Sequence, residues 1–256
     1  MTEERQTNYT IGETFELPSK GLIYDKKVNP QIELRSMTAR DEMKRLNPSG
    51  TQFKALADII ESCCIEKPAV HVYDMALGDY EFLLHKLRIV TYGDEYKIGI
   101  RCPHCGQAIE ATAHLESLEV KDIDIDEFNK KRTLTLPKSG HIVTLNFQTP
   151  RMLDETEAKV KEMKRKFKSA EIAFDLLVLL ESVIDTVDGE KIEGTKLETF
   201  INNLPALDMT KIVNSVDELN AMVGIDNRLF VDCNKCGGEV ETSFRYGPEF
   251  FRPTNI

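Results

Sequence analysis

Two Cys-x-x-Cys-Gly turns stand 127 residues apart in this chain: Cys102-Pro103-His104-Cys105-Gly106 and Cys233-Asn234-Lys235-Cys236-Gly237. Two residues between the cysteines let one tight turn aim both sulfurs at one point, and the glycine that follows accepts positive φ. Apolar residues alternate before each turn, Ile98 and Ile100 in one case and Leu229 and Val231 in the other. That is the period of a half-buried strand, so each turn reads as the tip of a β-hairpin.

If the tips face each other, Cys102, Cys105, Cys233 and Cys236 form a closed tetrahedral thiolate set. Structural zinc is the expected ion, with iron in a rubredoxin-like setting as second choice. Four thiolates leave no position for a metal-bound water, so the site is expected to be structural. One such turn alone could be a redox motif; two, both followed by glycine and both on hairpins, favour a shared metal. His104, inside the first turn, is read as exposed and not as a ligand.

The long gap is explained if the chain is a duplication. Leu17-Pro18-Ser19-Lys20-Gly21 is echoed by Leu136-Pro137-Lys138-Ser139-Gly140. Thr38-Ala39-Arg40-Asp41-Glu42 is echoed by Thr149-Pro150-Arg151-Met152-Leu153-Asp154-Glu155. Acids follow both threonines, in the first turn after Thr38 and within the first turns after Thr149; both threonines suit helix N-caps, and Pro150 suits the first helical position. Helices follow over 53–64 and 79–91 in the first half. A longer one over 169–184 and another over 209–222 follow in the second. Each half closes on its hairpin, 97–115 and 228–245. The expected fold is α+β: an internally duplicated strand/helix unit, each half ending in a zinc-knuckle hairpin, the two knuckles making a split zinc ribbon. The expected divisions are an arm over 1–11, a first repeat over 12–120, a second over 121–247 and a tail over 248–256. Convergent punctuation by Gly and Pro is the plain alternative. The acidic run 119–127, with Asp122, Asp124 and Asp126 alternating with Ile123 and Ile125, reads as an exposed connection or edge strand. The tail, with Phe250 and Phe251, is either a docking segment or a terminus tucked onto the domain.

A chain of 256 residues, 41% hydrophobic and 30% charged, can bury a core without help from disulfides or metal. The net charge of −10 disfavours general nucleic-acid binding, which needs a basic surface. The one basic stretch, Lys159 to Lys168, reads as the solvated face of a helix. The N-terminal residues show no signal-peptide pattern, and the apolar run 172–184 is too short and too charged to span a membrane. A cytoplasmic setting is expected, in which the adjacent Cys63 and Cys64 are small core residues and not a disulfide.

No set of catalytic residues stands out. There is no Gly-x-Ser-x-Gly, no phosphate-cradling glycine loop and no His-Glu-x-x-His. The histidines His71, His85, His104, His114 and His141 have no triad or ligand spacing, and His85 reads as an ordinary residue on a helix face. A non-enzymatic protein with no small-molecule substrate is expected. A redox enzyme using a mobile cysteine pair is a competing reading.

The run Leu17-Pro18-Ser19-Lys20-Gly21-Leu22-Ile23-Tyr24, followed by Arg35-Ser36-Met37-Thr38-Ala39-Arg40-Asp41-Glu42, resembles the baseplate hub proteins and hub-assembly chaperones of T4-type tailed bacteriophages. The likeness is clear over the first fifth of the chain; beyond it the match is one of layout, paired knuckles included. The resemblance implies a structural or assembly component of a contractile-tail baseplate. Such a component would bind other baseplate and tail proteins, in several copies, without nucleic acid or membrane. It would sit in the virion tail, or in the host cytoplasm during assembly. The alternative is a zinc-ribbon protein associated with nucleic acid, against which Glu110, Asp232, Glu239 and Glu241 stand beside the knuckles.

Overall fold

In the computed structural model, residues 12–48, 50–168, 173–244, 246 and 248–251 are described. The proposed arm over 1–11 lies outside them. The first half opens with strands β1 (Gly12–Glu16) and β2 (Gln31–Arg35), antiparallel from Gly12↔Arg35 to Glu16↔Gln31. Helix α1 (Ala39–Leu46) starts on Thr38, whose hydroxyl caps Asp41 N–H while Asp41 answers Thr38 N–H at 2.9 Å. That reciprocal box satisfies donors that a helix start leaves orphaned. Helix α2 (Gln52–Cys63), a 3₁₀ turn at Val72–Asp74, helix α3 (Leu77–Tyr92) and the hairpin β3 (Glu95–Arg101) with β4 (Ala108–His114) complete it.

The second half runs through α4 (Ile125–Arg132), β5 (Thr133–Thr135), β6 (Ile142–Leu145), α5 (Pro150–Lys166), α6 (Phe174–Val183) and β7 (Ile184–Val187). It ends in α7 (Thr195–Asn202), α8 (Ala206–Asn220) and the hairpin β8 (Arg228–Asp232) with β9 (Glu239–Ser243), before a 3₁₀ turn at Pro248–Phe251. Strands β5, β6 and β7 form one antiparallel sheet in that order.

Several expectations change. The acidic run is not a strand: Asp124 caps α4, accepting from Asp126 and Glu127 N–H at 3.0 Å, and Ile123 and Phe128 are buried. The alternation that suggested an edge strand is a helix start in which acids face a positive dipole end. Helix α6 is ten residues long against twelve in α2, so it is not the longer one, and Ile184 already belongs to β7. Residues 169–172 of the expected helix lie outside the described ones. The lysines of α5 are exposed, as expected for a solvated face, but many are neutralised locally: Lys161 by Glu157, Lys164 by Asp175 and Lys166 by Glu162.

Two main cores form, and each borrows from the other half. The first gathers Leu17, Leu34, Ile60, Leu83, Leu84 and Leu87, together with Ile225, Phe244, Phe250 and Phe251 from the far end of the chain. The second gathers Leu136, Val143, Val183, Val216 and Leu219, with Ile23 and Ala76 from the first half. The tail is therefore tucked: Phe250 and Phe251 are fully covered. Helix α5 also reaches across. Its Asp154 accepts from Lys54 N–H at 3.1 Å and Tyr73 OH at 2.9 Å, and from the Thr51 hydroxyl. It supplies the cap that Thr51 does not make for α2 itself. Where α3 begins, Gly78 lies so close to the Val223 carbonyl that a Cβ would stand 2.1 Å from it.

Candidate metal centre

The two hairpins bring their tips together. Ile100 pairs with Ile109 across β3–β4, and Val231 with Val240 across β8–β9. These four, with Cys102, Cys105 and Cys233, make a small core of their own, separate from the two main ones, and Cys236 lies exposed at its edge. The knuckles match bond for bond. Cys102 N–H donates to Gln107 O at 2.9 Å and Gly106 N–H to Cys102 O at 2.9 Å. Cys233 N–H donates to Gly238 O at 2.9 Å and Gly237 N–H to Cys233 O at 2.8 Å. Gly106 and Gly237 sit at φ +72° and +69°, which is why glycine follows each pair.

The sulfurs of Cys102, Cys105, Cys233 and Cys236 all lie within 4.8 Å of one another. Two of the approaches cross between the knuckles, Cys102 to Cys236 and Cys105 to Cys233, each 3.7 Å. A tetrahedral metal with metal–sulfur bonds of about 2.3 Å sets its sulfurs about 3.8 Å apart, so the set fits such an ion. The electrostatics agree. Backbone N–H groups of Cys236 and Lys235 hold the Cys233 thiol down to about 6. Gly238 N–H acts likewise on Cys236, but desolvation and the three neighbouring sulfurs outweigh it and push that thiol up to about 11. Four sulfurs this close do not ionise together without a cation between them.

His104 is exposed and its Nε2 lies 3.2 Å from the Glu239 carbonyl, off the sulfur set. Cys63 and Cys64 are buried, their thiols pushed up to about 11 and 12 by desolvation, as inert core residues. His85 departs from its expected place. It is 2% exposed, with Nε2 2.7 Å from the Tyr246 hydroxyl and its ring against Phe244 and Phe250.

Two further residues matter that motif reading passed over. Asp79, third residue of α3, accepts from Ser19 N–H at 3.0 Å, from the Ser19 hydroxyl and from Tyr24 OH at 2.6 Å. Asp208, third residue of α8, accepts from Lys138 and Ser139 N–H, both at 2.8 Å. The repeated Leu-Pro turns are thus fixed by equivalent carboxylates. The only sequence signal was an acid in the first turn of each helix.

The family described as T4 bacteriophage base plate protein matches residues 10–252. The chain belongs to that family. The match runs from just before β1 to the end of the C-terminal 3₁₀ turn, so it takes in both halves and all four cysteines. It places the metal-competent cluster in a phage baseplate protein of structural character. No curated protein and no solved structure matches the chain. Among the described residues, no helix is long and apolar enough to cross a membrane.

Proposed function

We propose that this chain is a structural or assembly component of the hub region of a contractile-tail baseplate, binding other baseplate subunits through surfaces held in shape by a four-cysteine zinc staple. The family match over 10–252 carries the baseplate part. The staple is supported by the 3.7 Å sulfur approaches between knuckles that stand far apart in sequence. Cys102, Cys105, Cys233 and Cys236 are its ligands in this reading, and the ion's work is geometric.

The reading includes a duplicated unit. Supporting it are the matched Asp79 and Asp208 anchors and the matched knuckle bonds. In the same order, α2 ends where Cys64 bridges Leu34, and α6 ends where Ile184 pairs with Leu145. The reading assigns no catalytic step. It includes no nucleic-acid contact, since Glu110, Asp232, Glu239 and Glu241 lie exposed on the knuckle hairpins.

Mass spectrometry of purified particles and of tail-assembly intermediates tests the proposal. Presence in the finished baseplate marks a component, and presence only in intermediates marks an assembly factor. Absence from both overturns it.

A further inference from the structure

The two knuckles share a backbone but not the residue that closes it. Cys102 N–H donates to Gln107 O in the first and Cys233 N–H to Gly238 O in the second, so Gln107 and Gly238 hold equivalent places. Alternation along each antiparallel ladder then turns the carbonyl of the next residue, Ala108 or Glu239, away from its own hairpin partner. In the first knuckle that outward carbonyl is met from within: Gln107 Nε2 donates to Ala108 O at 3.3 Å. In the second, Gly238 has no side chain to do this. His104 does it instead, from the opposite knuckle, with Nε2 3.2 Å from Glu239 O. A carbonyl only accepts, so Nε2 carries the proton in this contact.

Gly238 is a glycine for reasons of space. Its φ lies outside the left-handed region that Gly106 and Gly237 occupy, so backbone freedom does not require it. A Cβ there would stand 2.7 Å from His104 Cδ2 and 3.4 Å from Cys236 Sγ. The imidazole therefore fills the place of a side chain on Gly238, beside the Cys236 sulfur. Cys236 is the exposed member of the set, whereas Cys102 and Cys233 are buried and Cys105 is half-buried. The first knuckle offers no equivalent seat, because Gln107 fills that position.

We propose that His104 is a cross-knuckle latch: it ties the second knuckle to the first, screens the Cys236 sulfur, and so sets how slowly the shared metal is released. It positions a ligand and is not one. The proposal rests on the metal reading of the four cysteines and adds which residue governs retention of the ion. A chelator or an alkylating agent enters at an accessible thiolate, and Cys236 is the accessible one.

The zinc-loaded full chain is mixed with excess EDTA, and metal loss is followed in time by native mass spectrometry. His104→Ala is expected to keep one zinc per chain but to release it at least about fivefold faster, the scale of one lost hydrogen bond. Gly238→Ala is expected to do the same, since its methyl group takes the place of the ring. Added to His104→Ala, the Gly238→Ala change is expected to do little more, because 3.4 Å to Cys236 Sγ is ordinary contact. Peptide mapping after iodoacetamide treatment shows where the site opens. Alkylation of Cys236 is expected to rise in His104→Ala more than that of the other three cysteines. Unchanged release in His104→Ala overturns the latch and leaves the metal reading standing. Full additivity of the two changes, or four cysteines that become reactive together, overturns it as well. A parent chain that binds no metal overturns the metal reading, and this proposal with it.

Discussion

Asp79 and Asp208 hold the same position in their helices and do the same work. Each is the third residue, each is completely covered, and each grips backbone N–H of a Leu-Pro-x-x-Gly turn, at Ser19 in one half and Lys138 in the other. A carboxylate at a helix start already faces favourable dipole charge. Here that place also ties a strand turn to the helix that arrives about 60 to 70 residues later. Asp79→Ala would leave the Ser19 N–H and the Tyr24 hydroxyl proton without their acceptor and cost about 3 kcal/mol. Asp208→Ala, which releases no tyrosine hydroxyl, should cost less. Urea unfolding of the two variants checks the order.

The close approach at Gly78 gives a second expectation. Any Cβ there meets the Val223 carbonyl, which is backbone and cannot swing aside. Gly78→Ala should destabilise the chain by about 1–3 kcal/mol, although alanine is the better helix former. A variant as stable as the parent would show that α3 and the 223–224 segment separate freely.

The tail belongs energetically to the first half. Phe250 packs among Phe244, Tyr246, Phe251 and the His85 ring. Phe250→Ala should cost about 3–5 kcal/mol. Exchange protection should fall first around α3 rather than around β8–β9, next to which the tail lies in sequence.

His85 should make the fold acid-sensitive. Burial, then the nearby Lys86 and Arg88, hold its pKa down to about 3, against about 6.5 in an unfolded chain. Between those values the unfolded state binds the extra proton. The stabilisation is therefore complete above about 6.5 and is lost as pH falls toward 3, at up to about 1.4 kcal/mol per pH unit. His85→Phe should flatten the pH dependence of the urea midpoint by about one proton. Parallel curves for parent and variant would contradict the burial argument.

How much of this was legible in the sequence follows from how local the signals are. The knuckles, the Thr38 and Thr149 caps and the hairpin strands are short-range patterns, and the structure has them where the residues suggested. The four cysteines do come together. Asp124 was missed because a cap and an alternating acidic strand share the same residues until the helix behind them is seen. β7 was missed because Ile184–Val187 continues an apolar helical run without punctuation. His85 and the tail were undecidable locally, since their burial depends on each other. The role of Asp79 and Asp208 needed the turn and the helix side by side.

The central claim is that one ion, shared by two distant knuckles, fixes the ends of the chain's two halves. Native mass spectrometry of the untagged chain, purified under reducing conditions without chelator, measures it directly. One zinc per chain is expected, lost in both the Cys102→Ser/Cys105→Ser and the Cys233→Ser/Cys236→Ser variants, with helix content kept. A chain that carries no metal, or a pair of variants in which either knuckle alone retains it, would contradict the claim.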